Sequence, residues 1–300
     1  MKSQVLVSDE VASALADGQP VVALESTIFS NLGLPSPANA EALERCTAAI
    51  EQGGGVAAIT AVIDGVPRAG LLRSEHDRIL GEAHKTAERE LPIAVAQKWP
   101  VGATTVSASL FIAANAGIRV FATGGIGGVH RGEADDVSAD LVALASHRMV
   151  TVSAGAKNFL DLARTVERLE TLGVPVLGMQ TDWFPAFYAR SSGVPIPMRV
   201  ETPELAAAIA QAHFDLGRSG GVLVTVPIPQ SEAIADELID EAIERALRRA
   251  SGDGLRGAAV TPYVLAAVAE ATSGATLPAN LSLAENNARV AVEIARSMLE

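Results

Sequence analysis

Short apolar runs alternate with helix-forming stretches along most of this 300-residue chain, and no other feature constrains the fold as tightly. The runs at 20–24, 56–63, 149–153 and 220–226 are rich in Val, Ile, Leu and Ala, which is typical of strands buried on both faces. Strands that alternate with helices predict a largely parallel sheet with helices on both faces. An Asp-Gly turn after residue 63 predicts a hairpin into a short edge strand.

A single domain over residues 1–300 is the organisation that we expect. The polar, glycine-rich loop at 251–257 is the best boundary candidate, but the helical segment of about 45 residues after it is too short to bury a core of its own. Cys46 is the only cysteine, so no intrachain disulfide can form, which suits a reducing compartment such as the cytoplasm.

The charge balance limits the partners. A formal net charge of -12 argues against broad binding to nucleic acid or to an anionic membrane surface. The sequence shows no signal peptide, and no uninterrupted apolar run approaches the roughly 20 residues of a membrane span. We therefore expect a cytoplasmic protein without nucleic-acid or membrane partners. A small phosphate ligand stays compatible with this charge, because a pocket can be locally positive.

Two ionisable residues follow predicted strands at the carboxyl edge of the sheet, where open α/β folds bind ligands. Glu25 comes directly after the run at 20–24, and partial burial there would raise its pKa and suit it to general acid–base work. Lys157 follows the run at 149–153 in a turn of small residues, where lost hydration favours the neutral, nucleophilic amine. The structural alternatives are a helix cap or ion pair for Glu25 and an exposed lysine at a helix start for Lys157.

A glycine-rich segment, TGGIGGVHRG at 123–132, follows another predicted strand. Four glycines in five residues allow a close backbone approach to an anion, and His130 and Arg131 add donors suited to phosphate. The spacing is neither that of the dinucleotide fingerprint nor that of a P-loop. A flexible turn and a structural histidine are the alternatives.

Asp136 and Asp140 lie four residues apart in a predicted helix at 136–146, so both carboxylates could face one side and bind a divalent cation through oxygen. A solvated helix face is the alternative. A closed zinc site is excluded, because Cys46 is alone and the five histidines are dispersed. Lys85 and the pair Asn286 and Asn287 are ambiguous when each is taken alone.

Taken together, these segments resemble the pseudouridine-5′-phosphate glycosidase family, also called the indigoidine synthase A family. The resemblance extends from about residue 20 to residue 295. It rests on motifs in the family's order: ALEST at 23–27, TGGIGGVHR at 123–131, DVSADL at 136–141, the lysine of AGAK at 157, QTDWFPAF at 180–187 and NNAR at 286–289. Several long motifs in one order are far more specific than any one of them.

The resemblance implies a three-layer α/β/α sandwich with a central, mostly parallel mixed sheet, assembled as a homotrimer with one Mn²⁺ per subunit. It implies reversible cleavage of the C–C glycosidic bond of pseudouridine 5′-phosphate to uracil and ribose 5-phosphate. Lys157 falls on the Schiff-base nucleophile, Glu25 on the general acid and Asp136 on the manganese ligand. The positions that fall on substrate contacts are Lys85, Val106, Ser138, Ala139, Asp140, His130 and Asn287, with Asn286 as the alternative to Asn287.

The sequence departs from the family pattern in loops. Ala87 stands where the family usually has serine, Ala103 replaces the second glycine of GGTTV, and the segment at 30–35 has one extra residue and no histidine. These departures bear on loop details and affinity, but they do not involve Lys157 or Glu25. A Schiff-base aldolase, a sugar-phosphate sensor and a ribokinase-like kinase are the rival functions, and no clear nucleotide motif supports the last.

Overall fold

The computed structural model describes residues 5–131, 136–234, 236–255, 260–272 and 274–299. The strands are β1 (Leu6–Val7), β2 (Val21–Leu24), β3 (Val56–Ile63), β4 (Val66–Ala69), β5 (His84–Thr86), β6 (Val101–Thr104), β7 (Val120–Ala122), β8 (Val129–His130), β9 (Val150–Ser153), β10 (Leu160–Asp161), β11 (Val176–Met179), β12 (Met198–Val200) and β13 (Val222–Thr225). The helices are α1 (Asp9–Ala16), α2 (Ala38–Gln52), α3 (His76–Leu80), α4 (Leu91–Ala96), α5 (Val106–Asn115), α6 (Ala139–Ser146), α7 (Leu162–Thr171), α8 (Pro203–Asp215), α9 (Asp236–Gly252), α10 (Val260–Ala271) and α11 (Thr276–Ser297).

The central sheet has the strand order β1-β4-β3-β2-β7-β9-β13-β11-β12, with β6 paired to β3 and β5 paired to β6. The strands from β3 through β2, β7, β9, β13 and β11 to β12 are parallel, whereas β4 and β6 both run antiparallel to β3. The predicted mostly parallel mixed sheet with flanking helices is therefore confirmed. The hairpin after residue 63 is also confirmed, but β4 is not an edge strand, because β1 pairs with its other side.

The parallel strands are buried on both faces, as their apolar runs predict. Every residue of β2, β7, β9 and β13 is buried. The long helix α11 packs against α2 and α8 and against strands β2, β7 and β9. Val292 of α11 is buried and contacts the α2 C-terminus so closely that a Cβ at Gly53 would lie 2.3 Å from a Val292 methyl carbon. The C-terminal helix is thus part of the main core.

One predicted helix boundary is wrong, and a local hydrogen bond explains it. The helix expected from Asp136 begins at Ala139, because Ser138 is its N-cap and accepts from the Asp140 amide. Asp136 therefore lies outside the helix that contains Asp140.

The strand order decides which residues meet at the carboxyl edge. Strands β2, β7 and β9 are neighbours, and in register Leu24 pairs with Ala122, which pairs with Val152. The residues that follow these strands, namely Glu25, Thr123 and the loop that leads to Lys157, therefore emerge side by side. Among the described residues, no helix combines the length and apolar character needed to cross a bilayer.

The single-domain organisation stays a prediction, and α11 provides its test. We expect Val292→Ala to lower the free energy of unfolding by about 1–3 kcal/mol, because it removes buried methyl groups from the contact between α11 and α2. Differential scanning calorimetry should show one transition, moved to lower temperature by this variant and also by Ile59→Val in β3. Val142→Ala, at an exposed position of α6, is the control and should leave the transition in place. A separate low-temperature transition for the Val292 variant would contradict one cooperative domain.

Candidate active site

Two loops at the carboxyl edge are joined by backbone hydrogen bonds: the glycine loop (residues 123–130) and the lysine loop (residues 154–161). Ala154 N donates to Gly124 O at 3.0 Å, Ile126 N to Gly155 O at 3.0 Å and Lys157 N to Ile126 O at 3.2 Å. Further along, β8 and β10 pair antiparallel, with His130 opposite Leu160. The lysine is therefore held at a fixed position relative to the glycine loop.

Gly155 makes this pairing possible. Its φ is +73°, a left-handed conformation that side chains disfavour, and an added Cβ would lie 2.0 Å from the Pro185 carbonyl oxygen. At Gly127 a Cβ would lie 2.3 Å from the Ser138 hydroxyl oxygen. The glycines at these two positions are required by close packing inside the protein, which the sequence pattern alone did not distinguish from anion binding.

Glu25 is buried beyond the end of β2. The Thr123 hydroxyl, at the end of β7, donates a short hydrogen bond to Glu25 Oε1. The pKa of Glu25 is raised to about 7, because desolvation by burial, together with the nearby charge of Asp140, outweighs the lowering effects of the Thr123 hydrogen bond, Lys157 and Lys85. The predicted burial and raised pKa are confirmed, so the carboxyl group can donate or accept a proton near neutral pH.

Below Glu25, four buried hydroxyl groups tie its loop to the sheet. Ser26 Oγ lies 3.1 Å from Thr104 Oγ1 and accepts from the Thr104 amide at 2.9 Å. Thr60 Oγ1 lies 2.9 Å from Thr104 Oγ1 and 2.8 Å from Ser109 Oγ. All four residues are completely buried, so the network anchors the loop after β2 to β3, β6 and α5. No motif in the sequence predicted this hydroxyl network.

Lys157 is half-buried in the lysine loop, and it precedes α7 by five residues rather than starting that helix. Its charge interacts with those of Glu25 and Lys85. The side chain is thus neither sealed from solvent nor remote from the acidic group that ends β2.

Lys85 lies on β5, opposite Ala103 of β6. It is exposed in the single chain, yet the surrounding protein removes part of its hydration. This desolvation, followed by repulsion from Lys157, lowers the pKa of Lys85. Val106 is buried at the first position of α5. Lys85 is therefore close enough to Glu25 and Lys157 for the charges of the three side chains to interact.

Asp140 connects the glycine loop to α5. Its Oδ2 accepts from the Gly127 amide at 2.8 Å, and its Oδ1 accepts from the Ser107 amide at 3.2 Å. Each carboxylate oxygen of Asp140 thus accepts from a backbone donor, and since Asp136 lies outside α6, the prediction that Asp136 and Asp140 share one face of a helix is wrong. Ser138 and Ala139 precede Asp140 at the start of α6, directly beside Gly127.

Asp136 lies beside His130 of the glycine loop. His130 Nδ1 lies 3.7 Å from Asp136 Oδ2, and both side chains are partly exposed. Across the described ranges, no cluster of three or more His, Cys, Asp or Glu side chains could hold a metal ion. A single carboxylate, with water as the other ligands, suits an open site for a hard cation and does not suit a closed cage.

Asn287 is at the site and Asn286 is not. Asn287 Nδ2, from α11, donates to Thr123 O at 2.8 Å and to Gly124 O at 3.3 Å, while its buried Oδ1 has no hydrogen-bond partner among the residues that the structure describes. Asn286 instead accepts from the exposed Arg289.

The guanidinium of Arg131, predicted as a phosphate donor, donates to the carbonyl oxygens of Leu160 and Asn158 and so stabilises the lysine loop.

The side chain of Thr123 was not predicted, because in the sequence Thr123 is only the first residue of the glycine motif. A hydroxyl at the last position before a glycine run, after a buried strand, was the available signal. Phe187 was not predicted as a site residue either; its φ is +61°, and its ring lies so close to the glycine loop that a Cβ at Gly125 would be 2.6 Å from it.

A parallel α/β sheet with a buried carboxyl of raised pKa and a lysine at its carboxyl edge is typical of an enzyme that acts on a small molecule. Residues 10–297 match the model of the family described as indigoidine synthase A like protein, and the chain belongs to that family. It is an enzyme, as its relatives are. The curated relative from Nocardioides sp., named pseudouridine-5′-phosphate glycosidase, is 47% identical over 294 residues, which cover 97% of this chain and 95% of the relative.

Another curated relative and two solved structures also match this chain over nearly its full length. The protein of the same name from Caldanaerobacter subterraneus subsp. tengcongensis is 47% identical, over 96% of this chain and 95% of its own. The crystal structure of the prealnumycin C-glycosynthase AlnA in complex with ribulose 5-phosphate matches with a TM-score of 0.91 and 39% identity, covering 98% of this chain and 97% of that chain. An indigoidine synthase A-like protein from Thermotoga maritima matches with a TM-score of 0.89 and 35% identity, covering 99% and 97%.

The raised pKa of Glu25 predicts a pH-dependent cost to stability. Between the ordinary pKa of 4.5 and the folded value of about 7, the folded state holds a proton that the unfolded state has released, so stability falls as pH rises through this window. The free energy of unfolding of Glu25→Gln, measured with urea, should therefore rise relative to that of the parent between pH 4.5 and pH 8, by on the order of 3 kcal/mol. The exposed Glu82→Gln is the control. If the difference in free energy of unfolding between Glu25→Gln and the parent does not change with pH, the raised pKa of Glu25 is refuted.

Proposed function

We propose that this enzyme cleaves the C–C glycosidic bond of pseudouridine 5′-phosphate to give uracil and ribose 5-phosphate, with Lys157 as the covalent nucleophile and Glu25 as the general acid and base. One observation carries the proposal: a buried carboxyl with a pKa of about 7 whose charge interacts with that of Lys157. Both residues stand in a chain that is 43–47% identical to relatives named for this activity.

The substrate explains why an amine is needed. An ordinary nucleosidase expels a nitrogen-linked base, which leaves readily once it is protonated. In pseudouridine the ribose is joined to carbon 5 of uracil, and a carbon leaving group requires an electron sink. An iminium ion between Lys157 Nζ and ribose C1′ provides that sink and divides one difficult step into two easier ones.

The residues account for each proton and bond. In the first step the Lys157 amine forms a bond to C1′ and the C1′–O4′ bond breaks; the proton that the amine nitrogen loses is taken up by O4′, so the ring opens to a hydroxyl and the nitrogen keeps a lone pair. Glu25 in its acid form then protonates uracil C5. The Lys157 lone pair forms the C1′=N bond, the C1′–C5 bond breaks, and its electrons restore the C5=C6 double bond of uracil. Water hydrolyses the iminium, which releases ribose 5-phosphate and regenerates the amine.

The other residues that the family resemblance assigns to substrate contacts are proposed to bind the substrate. Lys85 and His130 supply donors to the phosphate or to ribose hydroxyls. Val106, Ser138 and Ala139 stand at the starts of α5 and α6, where backbone N–H groups are available to an anion. Asp140 keeps Gly127 and the α5 N-terminus together, and the unpaired Oδ1 of Asn287 accepts from a ligand hydroxyl or amide.

A rival Schiff-base aldolase shares the lysine but releases no uracil. A sugar-phosphate sensor would bind without turnover, and it leaves the proton-transferring Glu25 unexplained. Release of free uracil therefore separates the proposed activity from both. The reverse reaction is a second candidate, favoured by the likeness to a structure named as a C-glycosynthase. Its test is formation of pseudouridine 5′-phosphate from uracil and ribose 5-phosphate.

Substitution of Lys157 tests the covalent step. We expect Lys157→Ala and Lys157→Arg to lower uracil release by at least about 10³-fold, because neither variant can form the iminium, while substrate binding persists. Lys157→Arg is the informative variant, since it keeps the positive charge. The matched control is Lys98→Arg, at an exposed lysine three residues before the start of β6, which should retain parental turnover. Normal turnover by Lys157→Arg would eliminate the covalent mechanism.

Mn²⁺ at Asp136, one ion per subunit, is the proposed cofactor; when bound, it would neutralise the phosphate charge and order water. Electron paramagnetic resonance of added Mn²⁺ should show that Asp136→Asn weakens binding by at least about tenfold in the substrate-free protein. Asp182→Asn, an exposed carboxylate in an ion pair with Arg199, is the control and should bind Mn²⁺ like the parent. Unchanged Mn²⁺ affinity in Asp136→Asn would reject this residue as the ligand.

Assembly and location complete the proposal. We expect a homotrimer in the cytoplasm whose only partners are the small-molecule substrate and products. Sedimentation equilibrium of the purified chain measures the oligomeric state directly, and a monomer at micromolar concentration would contradict the trimer.

A further inference from the structure

We propose that Thr123 is a positioning residue that keeps the acid proton of Glu25 on Oε2, the carboxyl oxygen to which Thr123 does not donate. The assignment rests on the proposed role of Glu25 in the reaction. It concerns the one side chain that hydrogen-bonds directly to this carboxyl group in the described part of the chain.

The hydrogen-bond inventory supports the assignment. The Thr123 hydroxyl is buried and carries one hydrogen, and Glu25 Oε1 is its acceptor. If the acid proton sat on Oε1 and pointed at Thr123, the threonine hydrogen would be left in a buried place without that acceptor, which is costly. The arrangement that satisfies both groups has Oε1 accepting from Thr123 and the acid proton on Oε2.

The position of Thr123 is itself fixed. Its amide donates to Val152 O at 3.0 Å, and its carbonyl oxygen accepts from Asn287 Nδ2 at 2.8 Å. Strand β9 on one side and helix α11 on the other therefore hold the backbone that aims the hydroxyl. The neighbouring glycine loop cannot shift without breaking the same contacts, so the hydroxyl acts as a rigid support.

The other groups that face Glu25 do not replace this support. Lys157 of the lysine loop, Lys85 of β5 and Asp140 of α6 act on it through charge alone. Cys46 of α2 lines the small apolar cavity behind Glu25, and burial raises the pKa of its thiol to about 12, so it stays neutral. Removing the Thr123 hydroxyl leaves all of these groups in place.

Two consequences follow for Thr123→Val, which removes the hydroxyl at nearly constant volume. Because the hydrogen bond stabilises the carboxylate form, its loss raises the pKa of Glu25 further. The activity needs the acid form, so the fall in kcat at high pH should move up by about one pH unit. At the low-pH plateau kcat should drop about tenfold while KM changes less than about twofold, because the proton is no longer confined to one oxygen.

Thr123→Ser is the matched control, since it keeps the hydroxyl and loses one methyl group. The Thr123→Ser variant should retain the parental pH profile and most of the parental kcat. Thr123→Ala serves as a second hydroxyl-free variant should the valine disturb folding, and it should reproduce the shifted profile. A structural role alone would instead change thermal stability in all variants and leave the pH profile in place.

The titration can also be followed without turnover. Carbon-13 NMR of the Glu25 side-chain carboxyl, assigned by comparison with Glu25→Gln, reports its pKa in the substrate-free protein. We expect the midpoint to move upward in Thr123→Val and Thr123→Ala and to stay at the parental value in Thr123→Ser. An unchanged midpoint in both hydroxyl-free variants overturns the inference. Absence of uracil release by the parent would refute the proposed function instead, and the NMR result would still decide the role of Thr123.

Discussion

The backbone pairing of the glycine loop with the lysine loop is the interaction on which the site depends. Three hydrogen bonds, from Ala154, Ile126 and Lys157, join segments that leave neighbouring strands and would otherwise diverge. The pairing places the Lys157 side chain near the Glu25 carboxyl, which follows a third strand. It also explains the glycines, because Gly155 must adopt a left-handed conformation and Gly127 must admit Ser138 and Asp140. Preorganisation of this kind lets remote backbone contacts fix the geometry of reacting groups.

Burial then sets the chemistry. Glu25 stands on a network of hydroxyl groups that are themselves completely buried, with an apolar cavity behind it. Desolvation is the largest influence on its pKa, and the lysines and Thr123 oppose it. The balance leaves a carboxyl that exchanges its proton near neutral pH. A fully solvated glutamate would be ionised at this pH and would be a poor acid toward a carbon atom.

The sequence predicted the parts of the fold that depend on local pattern. The buried strands, the hairpin after Ile63 and the position of Glu25 at a strand end all follow from runs of apolar residues and from the turn chemistry of Asp64 and Gly65. The start of α6 was wrong because the pattern cannot tell a cap from a helical residue, and Ser138 rather than Asp136 takes that place. The two carboxylates were therefore grouped in error.

Contacts between distant segments could not be predicted from spacing. Asp140 binds the amides of Gly127 and Ser107, 13 and 33 residues away in sequence, and Thr123 reaches Glu25 across 98 residues. The resemblance to a known family named most of the surrounding residues but not how they hold one another. Arg131 shows the difference, because a residue with the right donors for phosphate is used to brace the lysine loop.

Reductive trapping tests the central claim most directly. The parent enzyme is incubated with ribose 5-phosphate and sodium borohydride, digested, and mapped by mass spectrometry. The account predicts a stable sugar-phosphate adduct on Lys157 that requires both the sugar and the reductant. An adduct that forms equally on Lys85 or Lys98, or none on Lys157 under conditions in which uracil is released, would contradict it.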